Sequence, residues 1–228
     1  MQVLYEDNHV IIVSKEVGEI VQGDKTGDLP LSDMVKAYIK ERYAKPGEVF
    51  LGVVHRLDRP VSGLVLFART SKAASRLSEM FRTRAIQKTY WAIVTQQPRQ
   101  ASGKLTHWLT RDEKTNKARA YDREVPNSKK AELDYRVVAR SDRYWLLEVE
   151  LHTGRHHQIR CQLSKMGCPI KGDLKYGAPR SNPDGGISLH ARHLVFEHPV
   201  SKKHIDILAP VPQDRLWQAL QRTEEGTE

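Results

Sequence analysis

Cysteine is nearly absent: Cys161 and Cys168 are the only two in 228 residues. Two thiols cannot build the disulfide framework on which small secreted domains depend. A chain of this length can bury enough apolar surface to fold without one. Long apolar runs are missing too. The opening MQVLYEDNHVIIVSKE has no basic segment leading into a signal-length apolar core. No run approaches the roughly 18 residues of a membrane-crossing helix. There is no obvious long internal repeat, low-complexity tract, long Gly/Ser linker or Gly-rich phosphate loop. These absences lead to the expectation of one soluble, cytoplasmic folded unit over residues 1–228, stabilised by its own core and using no nucleotide cofactor.

What the chain has is positive charge. Its 37 Lys and Arg against 28 Asp and Glu leave a formal net charge of +9. Such a surplus favours a polyanionic partner, because neutralised phosphates release counterions, although it also serves plain solubility. Basic side chains gather in RDEKTNKARAYDR (111–123) and in VPNSKK, which ends in Lys129 and Lys130. Neither stretch is a pure basic tail.

Periodicity predicts mostly strands. VLYEDNHVIIVSKE reads as two strands about an Asp-Asn turn, and Leu31, Met34, Val35, Tyr38 and Ile39 as a helix to about Arg42. FLGVV and GLVLFAR are strands, and Ser71 is the expected N-cap of a helix carrying Leu77, Met80 and Phe81. KTYWAIVTQ is a strand, residues 98–130 are rich in hairpins, and AELDYRVVAR pairs with YWLLEVEL about Ser141-Asp142-Arg143. A helix is expected after HTG, carrying Arg155, His156, His157 and Arg160 and ending at Gly167. Strands ISLHARHLVFE and KKHIDILA and a short helix DRLWQALQ complete the chain. Strands adjoin strands more often than they alternate with helices. The fold class is therefore α+β, with a mixed, mainly antiparallel sheet, flanking helices and a central active-site cleft.

Three segments carry candidate chemistry. In HRLDRPVSG, Pro60 and Gly63 interrupt the strand pattern and put Asp58 on a loop, among His55, Arg56 and Arg59. A carboxylate between cations stays ionised, as a nucleophile or general base requires, yet a salt-bridged turn has the same composition. In ELHTGRHHQIRCQL, His152 and His156 have the spacing of two zinc ligands on a helix. The Thr-Gly turn breaks that register, no Glu stands between them and the cysteines form no CxxC pair, so the basic side chains suit phosphate or carboxylate better than a metal. In QKTYWAIV, Tyr90 and Trp91 alternate across a strand, and one of them can face a cleft and stack on a base, or both can be ordinary packing residues.

Together these segments resemble the RluA family of RNA pseudouridine synthases. HRLDRPVSGLVLFART is similar to its catalytic motif, and QKTYWAIV and LHTGRHHQIR to its second and third motifs, in the family's order. LYEDNHVIIVSK resembles its first hairpin and ISLHARHLVFEHPV its late strand, so the likeness covers nearly the whole chain. The resemblance implies a catalytic domain over residues 1–228 that isomerises uridines in rRNA or tRNA stem-loops without a metal or other cofactor. It implies Asp58 as the catalytic aspartate, Tyr90 as the active-site tyrosine and Arg160 as the salt-bridge partner of Asp58. Arg56 would fill the place of the extruded nucleotide, and Leu189 would line the pocket. His55, Arg155, Lys129 and Lys130 join the expected RNA-contacting set, and the family likeness leans towards a monomer. Two departures stand out. SKEVGEIVQ occupies the place of a Lys-Pro-x-Gly turn, and there is no room ahead of it for the S4-like RNA-binding domain that many ribosomal-RNA members carry. Rival readings are a catalytically idle RNA-binding module and a metal-dependent hydrolase using the histidines.

Overall fold

A computed structural model describes residues 1–225. Its elements, in chain order, are β1 (Gln2–Glu6), β2 (Val10–Lys15), α1 (Leu31–Arg42), β3 (Gly52–Val53), β4 (Ser62–Ala68), α2 (Ser71–Arg82), β5 (Gln87–Val94), β6 (Ser102–Asp112), β7 (Lys117–Tyr121), β8 (Lys129–Arg140), β9 (Trp145–Leu151), α3 (Gln158–Lys165), a 3-10 turn (Leu174–Tyr176), β10 (Leu189–Glu197), β11 (His204–Leu208) and α4 (Arg215–Glu225). Two compact units emerge: Met1–Gln87 with Ala191–Pro210, and Lys88–His190 with the segment from Val211. The sequence expectation of antiparallel strands and flanking helices holds in both. No helix among the described residues is long and apolar enough to cross a membrane.

In the first unit the strands run β1-β2-β4-β10-β11, with β3 also pairing β4. The β1–β2, β2–β4, β3–β4 and β10–β11 pairs are antiparallel. Every residue of β2 and β4 is buried, which is why VIIVSK and SGLVLFA read as continuous rather than alternating apolar runs. Leu31, Val35 and Ile39 form the buried stripe of α1. The N-cap of α2 is Thr70, one residue before the expected Ser71. Thr70 is still extended and its hydroxyl accepts the Ala73 N–H at 3.2 Å, whereas Ser71 is already helical. At Gly63, φ is +113° and an added Cβ would lie 2.3 Å from Ala191 O. Only glycine lets β4 press so closely on the backbone of β10.

In the second unit the order is β5-β9-β8-β6-β7, again antiparallel at each pair. Trp91 and Ile93 of β5 pack with Ala139, Leu146, Val211, Trp217 and Leu220, the layer beneath α4. A second core joins Leu109, Ala118 and Ala131 to Cys161 of α3 and to Tyr176. A bulge between Val137 and Ala139 shifts the register of β8, and both Val138 and Ala139 then pack into the α4 layer.

One helix starts later than expected. Arg155, His156 and His157 do not belong to α3, which begins at Gln158 behind a left-handed His157 with φ 50°. Gln158 explains the delay. Its Oε1 accepts from Thr153 Oγ1 (2.7 Å) and from the Arg155 amide (2.9 Å), and its Nε2 donates to Glu132 O (3.0 Å). Side-chain bonds thus take over the backbone groups a helical turn would have used.

Candidate active site

Asp58 lies on a turn closed by the Val61 N–H donating to Asp58 O at 3.0 Å. Around it Leu57 is buried, Asp58 half-buried and Arg56 exposed. His55 stacks on Phe81 of α2 at 4.7 Å between ring centroids, and its Nε2 accepts the Leu66 N–H at 2.8 Å. Arg59 turns outward to Asp28 (2.7 Å), Asp24 (3.5 Å) and Thr26 (3.0 Å), tying down the 24–28 loop.

Behind the turn stands Lys15, at the end of β2 and fully buried. Its ammonium donates to Glu16 O (3.0 Å), Arg59 O (3.0 Å) and Val61 O (2.6 Å). Three acceptors match the three N–H groups of an ammonium. Burial pushes its pKa from 10.5 down to about 8, with the charges of Glu19 and Asp58 acting against that shift. The Gly18 N–H also donates to Arg59 O, at 3.0 Å. This settles what replaces the Lys-Pro-x-Gly turn. Lys15 and Gly18 (φ +88°) keep the two ends of that pattern, and the Glu16 N–H, which a proline would lack, is met by the Glu19 carboxylate at 2.8 Å.

The second unit holds the other candidates. Tyr90 is buried on β5, paired with Val149. Because Trp91 and Ile93 enter the α4 core, strand alternation places Tyr90 and Lys88 on the opposite face. Lys88 Nζ lies 3.6 Å from where a Cβ on Gly154 would stand, and burial lowers its pKa.

Arg160 is buried in α3 and held by a two-point bond to Asp173, from Nε at 2.7 Å and from Nη2 at 2.9 Å. Asp173 is itself only 1% exposed. The Arg160 guanidinium sits 5.1 Å from the centroid of the Tyr176 ring. Burial pushes the Tyr176 phenol up to about 12, so it keeps its proton. Its oxygen accepts the Ala118 N–H at 2.8 Å and stands 2.8 Å from His157 Nδ1. His157 stacks on His156 at 3.7 Å. His152, paired with His156 in the zinc-like spacing, bonds instead to Asp134 at 2.6 Å.

Arg155 is half-buried and donates to Lys130 O at 2.9 Å, bringing two of the expected RNA-contacting residues together. Lys129 and Lys130 are exposed at the start of β8, and Lys130 is 3.1 Å from Glu132. Leu189 is buried at the first position of β10.

Sequence reasoning did not single out Lys15, Lys88, Asp173 or Tyr176. Signals for two pairings were present. Lys15 ends a strand of otherwise buried residues three positions before a glycine. Asp173 and Tyr176 sit in GDLKYG, bracketed by Gly172 and Gly177, both at positive φ.

Comparison with known proteins gives the chain's family. Residues 9–165 match the model of the family described as RNA pseudouridylate synthase. The chain is 31% identical over 217 residues to the uncharacterized RNA pseudouridine synthase YlyB of Bacillus subtilis, covering 94% of this chain and 70% of the relative. It is 31% identical over 236 residues to ribosomal large subunit pseudouridine synthase C of Vibrio cholerae, covering 98% and 70%. Among solved structures, human RNA pseudouridylate synthase domain containing 4 superposes with a TM-score of 0.78 at 25% identity, covering 98% of this chain and 93% of that one. A match over well more than half of the chain, joined to relatives of this identity and coverage, places the chain in the RNA pseudouridylate synthase family, as an RNA-modifying isomerase.

Proposed function

We propose that this chain converts specific uridines of large-subunit ribosomal RNA to pseudouridine, with Asp58 as the catalytic carboxylate. The observation that carries the reading is the Asp58 turn, whose next carbonyls are held by the buried Lys15 ammonium and the Gly18 amide. A reaction that swaps one bond to C1′ for another needs a fixed carboxylate more than an imported group. The N1–C1′ bond of the target breaks, uracil turns, and C5 bonds to C1′. The C5 proton leaves and N1 gains one, so atoms balance without a cofactor.

Asp58 acts on the target nucleotide as nucleophile or base. Arg160 keeps that carboxylate ionised and aimed; its support is the Asp173 clamp and the Tyr176 ring. Tyr90 stacks on the extruded base, in a pocket to which Leu189 contributes. Extrusion costs a few kcal/mol, which the exposed Arg56 offsets by filling the vacated space, while His55, Arg155, Lys129 and Lys130 contact the surrounding RNA. The enzyme works as a monomer, in the cytoplasm, as one catalytic domain. Ribosomal RNA is favoured over tRNA by the name of the Vibrio cholerae relative.

The test is release of tritium from RNA labelled at uridine C5, together with pseudouridine maps of cells with and without the gene. Release from a large-subunit rRNA transcript, and one or more rRNA sites lost with the gene, are expected. Sites lost only from tRNA would move the substrate, and no release from any RNA would leave the idle binding module in its place.

A further inference from the structure

We propose that the open edge of β7 is a second RNA-binding site, a cleft that grips backbone phosphates flanking the target uridine. The inference rests on the reading above that the substrate is RNA. The cleft, about 490 Å³, is lined by Lys117, Arg119, Tyr121, Ser164, Lys165 and Tyr176.

Its chemistry follows from strand geometry. β7 ends the strand order of its unit, so among the described residues one side of its backbone has no neighbouring strand. The Ala118 N–H donates to Tyr176 Oη, which shows that residue 118 points its backbone groups away from β6. By the alternation of an antiparallel ladder, residue 120 points the same way, and its N–H is directed into the cleft. Lys117, Arg119 and Lys165 bring three cations to the cleft, against the carboxylates of Asp122, which pairs with Lys165 at 3.1 Å, and Asp112, whose charge acts on Arg119. An outward amide beside surplus cations suits a phosphate oxygen. Tyr121, half-buried in the lining, adds a ring on which an unpaired base can stack.

The cleft is braced rather than loose. Lys175 Nζ donates to Thr115 O (3.3 Å) and Asn116 O (3.2 Å), fastening the β6–β7 turn to the 3-10 turn. Lys117 lies 5.3 Å from the Tyr176 centroid, and the Arg160 guanidinium lies 5.1 Å from that same centroid. A strand of RNA in this cleft is therefore one side chain away from Arg160. That proximity, with the charge, favours RNA over a protein strand added to the same edge. It also shifts the weight of RNA contact from Lys129 and Lys130 to Lys117 and Arg119.

The experiment compares wild type with Lys117→Gln/Arg119→Gln, using an unmodified large-subunit rRNA transcript labelled with tritium at uridine C5 and titrated across salt concentrations. The double variant should bind about tenfold more weakly at low salt. The slope of log K against log salt should become shallower by about 1.4 for a single strand or 1.8 for a duplex. Single-turnover tritium release at saturating RNA should stay within about twofold, since neither residue touches the reacting atoms. Arg119→Gln alone, at an exposed position that cannot disturb Tyr176 packing, should give half the change in slope. In wild type, RNA should slow hydrogen exchange at the Ala120 amide. Wild-type release of label with unchanged affinity and slope in both variants would overturn the cleft while leaving the isomerase reading intact. Protection of Ala120 that depends on protein concentration rather than RNA would also overturn it, in favour of strand addition. A wild type that releases no label refutes the isomerase reading, and the binding comparison still decides the cleft.

Discussion

At the Asp58 turn, one ammonium serves three main-chain carbonyls. At Arg160, one guanidinium is held by a carboxylate and rests on a ring. The first bracing acts on backbone, so it hardly depends on which side chains the turn carries. That is why Glu16 can stand where a proline is usual, once Glu19 meets the extra N–H. The second acts between side chains that must all be present, because a buried ion pair with one partner removed leaves an uncompensated charge. Backbone bracing tolerates local change in sequence, whereas side-chain bracing demands particular residues.

The comparison can be broken at its centre first. Asp58→Asn should lower tritium release by about 10³-fold or more, with unchanged melting temperature and RNA affinity. Release at a comparable rate would remove Asp58 from the chemistry and leave its turn merely structural.

Next is the clamp. Arg160→Met should cut single-turnover release by about 10²-fold and destabilise the fold by about 3 to 5 kcal/mol, since it strands the buried Asp173. Adding Asp173→Leu should return much of the stability in a denaturant titration and none of the activity. Recovery of both would mean that Arg160 serves the fold alone.

Lys15→Met should lower turnover more than RNA affinity, by about tenfold, as the turn loses its anchor. Its pH signature is specific. Burial holds the folded Lys15 pKa near 8 against 10.5 in the unfolded chain, so between those values the unfolded state binds more protons. Wild-type stability should then rise with pH across that window, relative to Lys15→Met, by up to about 3 kcal/mol, and stay level below it. A difference that does not change with pH would show that Lys15 is not the buried cation described.

The smallest effect belongs to Lys129→Gln/Lys130→Gln. Both residues are exposed, and Lys130 is already beside Glu132 at 3.1 Å. RNA affinity should fall about threefold or less, below the change expected for Lys117 and Arg119. A larger loss than at β7 would reverse that ranking.

Much of this was legible in the sequence, for identifiable reasons. The β1–β2 and β8–β9 hairpins and α1 follow from alternation, turn residues and helical spacing, all of which are local. The Asp58 turn was legible because Pro60 and Gly63 interrupt the strand pattern between two buried runs. The start of α3 was misread because Arg155, His156 and His157 carry no sign that Gln158 and Thr153 would satisfy the backbone in another way. The glycines of GDLKYG marked Asp173 and Tyr176, but the bond from Arg160, thirteen residues before Asp173, left no sign in the sequence. Lys15 looked like the polar end of a strand, and only the full layering of β2 reveals that it is enclosed.

The discontinuity of the first unit bears on how the chain reaches this state. Residues 1–87 leave the ribosome well before Ala191, yet β4 has β10 as its neighbour and carries Gly63 to receive it. Until then β4 has only β2 and the two residues of β3 beside it, and the contact that completes it spans more than a hundred residues. Loop closure of that length is slow, and exposed edges are where nascent chains associate wrongly. The second unit, by contrast, draws its five strands from one nearly continuous stretch, and only the layer of Val211, Trp217 and Leu220 reaches it later. The unit whose synthesis begins first thus waits for a strand made more than a hundred residues later, and Gly63 is the seat kept open for that strand.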